Sequence, residues 1–324
     1  MNIIIALKEK IKSALFSAFV PIYQLGEKQL VCQALVAAKV NRSNQGFSGL
    51  YEAEFCAFSQ WGEDGIIDWL VERLPSIPHS FVEFGVENYQ ESNTRLLLKL
   101  RNWRGLVIDG SEKHIQNIKK QDIYWRYGLT AKRAFIDREN INVLLAEGGM
   151  QGDIGLLSID IDGNDYWIWE AIDSINPAIV VCEYNAVLGD RYEFTVPYKA
   201  DFLRSQAHYS NLYFGASLRA LVSLGKKKGY TFVGTNSTGC NAFFVRDDRA
   251  KSILDALGAV WAFPSVIREA RSNNGKLCFV NGKDRANMIN QCPVFDLERD
   301  KNTTLEKCLD MYSPEWELSK KVKF

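Results

Sequence analysis

The sequence predicts an α/β protein built on an open, doubly wound sheet of about seven strands, the last of them antiparallel. Three observations carry this. Between residues 80 and 183 short apolar runs alternate with longer amphipathic stretches, the pattern of successive β-α units on a parallel sheet. Acidic residues fall just beyond the apolar runs, where such sheets bind their ligands. After residue 216 a helical stretch precedes two apolar runs separated by the turn-rich residues 235–239, which read as a closing hairpin.

Residues 1–18 carry Ile3, Ile4, Ile5, Leu7, Ile11, Leu15 and Phe16, interrupted by Lys8, Lys10 and Lys12. No apolar run there is long enough to span a bilayer, and the lysines lie within the stretch rather than ahead of it, unlike a secretory leader. A packing helix is expected, with peripheral contact at a membrane surface as its other use. Residues 29–40 read as a second helix, and 1–48 as a helical cap. Strands are predicted at 81–84, 105–108, 133–136, 154–161 and 178–183, with helices at 92–100, 112–119, 140–147 and 166–175. An irregular stretch at 189–216 reads as a substrate lid. Beyond it come a helix at 217–228 and strands at 230–234 and 241–246, completing a domain of residues 49–250. A helix at 247–259 leads into a C-terminal extension, 251–324. Its basic residues Arg268, Arg271, Lys276 and Lys283 belong either to a solvated tail or to an arm that holds an anionic ligand.

Thirty-nine basic side chains balance thirty-nine acidic ones in 324 residues, so no global field draws the chain to nucleic acid, and its ligand is expected in a pocket. Seven cysteines without a CxxC pair fit reduced thiols and a cytoplasmic setting, and disfavour a disulfide framework or structural zinc.

The first strand ends in Glu83, Gly85 and Glu87. One glycine and a carboxylate at the next fingerprint position do not make the G-x-G-x-x-G cradle of a pyrophosphate. Asp109, twenty-six positions after Glu83, stands where an acid takes hydrogen bonds from ribose hydroxyls; Ser111 beside it is also a helix N-cap. Asp137 follows the third strand, either against an adenine or as a cap. Acids at several strand ends without a phosphate cradle favour a nucleoside with a positive centre. The densest cluster is 158–165. If alternation holds to the end of the fourth strand, Asp160 and Asp162 share one side and crowd unless a cation or proton intervenes. With Glu183 and Asn185 they form an oxygen set suited to Mg²⁺ or Mn²⁺. Asp160 and Asp162 are the candidate bases without a metal, and His208, within 189–216, is a further one. Arg191, Tyr192, Tyr198, Lys199, Tyr209 and Tyr213 suit a saccharide, or the face of a second subunit in a homo-oligomer. Residues 59–64 read as a capping box.

The stretches 59–64, 82–94, 106–111, 157–165, 182–185 and 214–246 together resemble the class I S-adenosylmethionine (SAM)-dependent methyltransferases of Rossmann-like fold, and more narrowly the FkbM-like enzymes of sugar and polysaccharide modification. The resemblance implies SAM across the first three strand ends. Glu83, Gly85 and Glu87 would lie near its methionine portion, Asp109 and neighbouring Ser111 at the ribose and Asp137 near the adenine, with Ser59, Gln60 and Asn93 closing over it. It implies O-methylation of a sugar, nucleotide-sugar or saccharide hydroxyl, assisted by a divalent metal as in some metal-dependent O-methyltransferases. The competing readings are a glycosyltransferase using Asp160-Ile161-Asp162 as its D-x-D grip, and a scaffold without catalysis.

Overall fold

The computed structural model describes residues 2–308 and 310–324, with side chains from residue 21 onward, Tyr23 excepted. Along the chain run α1 (Asn2–Ser43), α2 (Glu63–Arg73), β1 (Ser80–Phe84), α3 (Arg95–Arg101), β2 (Arg104–Asp109), α4 (Glu112–Lys120), α5 (Asp122–Arg126), β3 (Leu129–Arg133), α6 (Ile141–Glu147), β4 (Gly152–Ile159), α7 (Asp165–Ala171) and β5 (Ile175–Glu183). They are followed by β6 (Phe194–Thr195), α8 (Arg204–Ala207), α9 (Leu218–Lys227), β7 (Tyr230–Thr235), β8 (Asn241–Arg246), α10 (Asp247–Leu254), β9 (Trp261–Ala262), α11 (Asp284–Met288), β10 (Pro293–Asp296), β11 (Lys301–Thr304), α12 (Pro314–Glu317) and β12 (Val322–Lys323).

Seven strands form one sheet in the order β3-β2-β1-β4-β5-β8-β7. All neighbours pair in parallel except β8, which runs antiparallel to both β5 and β7. This is the doubly wound, Rossmann-like α/β architecture expected. Strand alternation divides the core. Val82, Leu106, Leu157, Val180 and Phe244 face α6, α7 and α9, whereas Phe81, Val107, Leu156, Val181 and Phe243 face α2, α3, α4 and α10. Covering both faces is what makes the central strands read as continuous apolar runs.

Two elements differ from expectation. The third strand lies at Leu129–Arg133, paired Gly105 to Leu129 through Asp109 to Arg133, four residues before the predicted start. As an edge strand it needs only Leu129 and Ala131 buried, and its short alternating pattern is outweighed in the sequence by the apolar Ala134-Phe135-Ile136 that follows. The N-terminal helices are one continuous helix, α1, with Pro21 inside it. Its C-terminal half lays Ala34 and Val31 against Phe58 and Leu96, and Glu27 pairs with Arg95 at 2.6 Å and Lys99 at 2.9 Å. The lysines on which membrane-surface contact was expected have side chains outside the described residues. Among the described residues no helix is long and apolar enough to cross a membrane.

The stretch 189–216 and the extension 251–324 share a core of their own. Phe194, Val196, Phe202 and Phe214 pack with Ala270, Ile289, Val294 and Leu305, while β6 pairs with β10. The stretch 189–216 is thus held by the tail, beside the carboxyl ends of β4 and β5. All seven cysteines are free thiols.

Candidate active site

The carboxyl ends of β1, β2, β3 and β4 open onto a cleft of about 660 Å³. A recess of about 300 Å³ adjoins it, reaching the ends of β5 and β8. Both volumes are lined by Gly85, Glu87, Asp160, Asp162 and Arg204, which frame the window between them.

After β1 the chain turns at Gly85, whose φ of +70° is the left-handed region glycine favours. A Cβ there would stand 1.6 Å from the carbonyl oxygen of Asp160. The turn therefore requires glycine because the β1 and β4 loops touch. Gly85→Ala is expected to cost about 3 kcal/mol or more of stability and to displace the Asp160 loop, read as a lowered Tm with weakened ligand binding.

Glu83 points into the recess, yet its carboxylate is engaged. It accepts from Ser92 Oγ at 2.6 Å, from the Asn93 N–H at 2.8 Å, and from the Thr94 N–H and hydroxyl. Burial pushes its proton affinity above the ordinary carboxylate range, opposed by these donors. Its role is to fasten the loop before α3. Asn93 lines the recess beside it and donates to Ser158 Oγ at 3.1 Å.

At the end of β2, Asp109 Oδ2 accepts from the Glu87 N–H at 2.8 Å. Its Oδ1 accepts from the Ser111 N–H at 2.7 Å and lies 3.1 Å from His114 Nδ1. Oδ2 keeps capacity for a second donor. Ser111 caps α4, its hydroxyl accepting from the His114 N–H at 3.3 Å. The moved third strand makes Ala134, Phe135 and Ile136 the rim of the cleft, with Phe135 48% exposed.

Asp160, Asp162 and Glu183 each bring a carboxylate oxygen within 4.8 Å of the others. Strand alternation is not what unites them. β4 ends at Ile159, and Asp162 returns to the cluster through a left-handed backbone at φ +56°. Glu183 Oε2 is buried without a hydrogen-bond partner. Burial, then repulsion among Asp160, Asp162, Glu183 and Asp165, pushes Asp160 and Glu183 well above the ordinary carboxylate range. One cation answers them. Arg204, at the start of α8, donates to Asp162 Oδ1 at 2.6 Å, to Glu269 Oε1 and to the Asn211 carbonyl at 2.8 Å, with its guanidinium 3.7 Å over the Phe214 ring.

Several expected site residues are used elsewhere. Asn185 is engaged by the backbone, donating to the Leu212 and Phe214 carbonyls at 2.8 and 2.9 Å and accepting from the Val187 N–H at 3.0 Å, and it lines neither volume. Asp137 accepts from the Glu139 and Asn140 N–H groups and fixes the turn into α6, away from the cleft lining. His208 bonds Ser210 Oγ at 2.7 Å and lines neither volume. Ser59 exchanges hydrogen bonds with Asp64, whose carboxylate also accepts from the Ala57 and Phe58 N–H groups, so the box 59–64 opens α2, while Gln60 lines the recess. Sequence reasoning missed His114, Phe135, Trp61, Arg204 and Glu269, all of which line the cleft or the recess. An exposed aromatic directly after a strand would have marked Phe135; Arg204 and Glu269 come from segments without periodicity.

No family model matches the sequence, and no curated protein matches it. Among solved structures the chain is similar to the N-terminal domain of EvdMO1 in the presence of SAH and D-fucose, with a TM-score of 0.36, 9% identity, and coverage of 56% of this chain and 80% of that one. It is similar also to a S-adenosylmethionine-dependent methyltransferase from Clostridium acetobutylicum ATCC 824, at a TM-score of 0.34 and 12% identity over 57% and 90% of the two chains. A third is the CurJ carbon methyltransferase, at 0.35 and 12% over 56% and 52%. These overlaps are loose, and no residue's role rests on them.

Proposed function

We propose that the protein is a SAM-dependent O-methyltransferase acting on a saccharide hydroxyl with the help of a divalent cation. The observation that carries this reading is the paired volume: a cleft of about 660 Å³ and an acidic recess of about 300 Å³ that share five lining residues. In the cleft, Asp109 Oδ2 takes a ribose hydroxyl and the exposed ring of Phe135, with Ala134 and Ile136, lies against the adenine. Glu87 faces the sulfonium side at the window. Among the described residues Arg204 is the only lysine or arginine lining the cleft, and it is already committed to Asp162, Glu269 and Asn211. A pyrophosphate in the cleft would find no free basic side chain, which disfavours NAD; a UDP held through a cation on Asp160 and Asp162, as in a D-x-D glycosyltransferase, is separated by the titration below.

Asp160, Asp162 and Glu183 fit a hard cation. The set is three carboxylates, and the unpartnered Glu183 Oε2 lacks the donor that a buried oxygen requires. Bound there, Mg²⁺ or Mn²⁺ supplies Lewis acidity toward the acceptor hydroxyl. Asp160 lines both volumes, so its carboxylate stands between donor and acceptor as the base. The hydroxyl oxygen attacks the methyl carbon in line as the carbon–sulfur bond breaks toward sulfur. The hydroxyl proton passes to Asp160, leaving a methyl ether and S-adenosylhomocysteine (SAH). Calorimetric titration tests the reading: SAM and SAH should bind at about micromolar Kd, and NAD and UDP-sugars at least about 100-fold more weakly. Tighter binding of UDP than of SAH overturns it.

A further inference from the structure

We infer that the acceptor carries a positive charge, so that the recess selects an amine-bearing saccharide over an uncharged or nucleotide-linked one; this rests on the reading of the recess as the acceptor site. Eight acids line it. Two are spoken for by the fold: Glu83 by the loop 92–94, and Glu63 by the Trp61 N–H at 2.9 Å and the side-chain amides of Asn236 and Asn241 at 2.7 and 2.9 Å. The other six, Glu87, Glu91, Asp160, Asp162, Glu183 and Glu269, line the same volume, with Asp162 and Glu269 paired to Arg204. Arg204, a divalent ion and the sulfonium beside Glu87 together offset four of those six charges, and with SAH in place of SAM only three.

The remainder is not absorbed by the protein. Among the described residues the carboxylates of Glu87 and Glu91 make no hydrogen bond or ion pair, and Glu183 Oε2 is buried without a partner. The basic residues Arg268, Arg271, Lys276 and Lys283 of the extension line neither the cleft nor the recess, whereas the acidic Glu269 does. A diphosphate placed here would meet one committed guanidinium and one divalent ion among six carboxylates, a predominantly like-charge arrangement that disfavours binding. An ammonium meets complementary charge on several sides, and Trp61 adds an aromatic wall suited to a sugar ring or a cation. Glu91 and Glu269 at the mouth are the specificity-determining residues, since neither belongs to the triad that handles the hydroxyl.

The test is equilibrium binding to the full chain loaded with SAH and Mg²⁺, using three probes on one sugar: glucosamine, N-acetylglucosamine and UDP-N-acetylglucosamine. Glucosamine is expected to bind about tenfold or more tightly than its N-acetyl form, with the UDP sugar weakest. Glu91→Gln and Glu269→Gln should each reduce that preference several-fold while SAH affinity stays unchanged. Equal or inverted affinities, or no glucosamine binding at millimolar concentration, overturn the inference while the cofactor reading stands. If SAH itself fails to bind, the methyltransferase reading falls instead.

Discussion

Asp109→Ala should weaken SAM and SAH binding about 30-fold or more. The carboxylate has two tasks at once: it offers Oδ2 to the ribose, and it anchors the Glu87 and Ser111 N–H groups on either side of the cleft. Losing a charge-assisted hydrogen bond costs about 1.5–3 kcal/mol, and loosening the rim adds to that. Asp109→Asn keeps an acceptor oxygen and should lose less. Titration of SAH into both variants, with thermal unfolding as a control for folding, checks this. Affinity within twofold of the parent in Asp109→Ala would remove Asp109 from the cofactor site.

Asp160→Asn and Glu183→Gln should lower kcat by about 100-fold or more with SAM affinity changed by less than about threefold, because these side chains meet the acceptor and cation rather than the nucleoside. Their crowding also gives a pH signature. Asp160 and Glu183 hold protons more tightly in the fold than in the unfolded chain, so cation binding must expel a proton. Mg²⁺ or Mn²⁺ affinity should therefore keep rising with pH above the ordinary carboxylate range, by up to about tenfold per unit for one proton released. For the same reason the cation-free protein loses stability as pH rises through the raised values, since the native state then surrenders protons that it had held preferentially. A cation affinity flat above that range contradicts the crowding.

What could be read from the sequence followed from burial. β1, β2, β4, β5, β7 and β8 are covered on both faces, so each announces itself as an apolar run; β3, on the edge, needs only two inward side chains and was displaced by the apolar rim that follows it. The acids at strand ends were visible because position after a strand is itself informative. Their division of labour was not. Asp137, Ser111 and Asn185 are small polar residues at loop entries, and the same chemistry that binds a ligand also bonds neighbouring N–H groups. Sequence cannot separate these uses, because both ask for the same side chain in the same place. Arg204 and Glu269 reach the site from two distant segments that meet in their own ion pair, in the Arg271–Ser210 backbone bond, in the pairing of β6 with β10 and in the core beneath it.

That pairing brings the tail to the recess and not to the cleft. Strand-end loops line both volumes, and the proposed donor side is completed by residues 202–211 rather than by the tail. The acceptor side borrows Ile267 and Glu269 from the tail, and exchanging those few residues leaves the strands untouched. On the proposed function, a lineage built on this chassis can retune what it modifies by editing its final quarter while the cleft for the methyl donor is inherited unchanged.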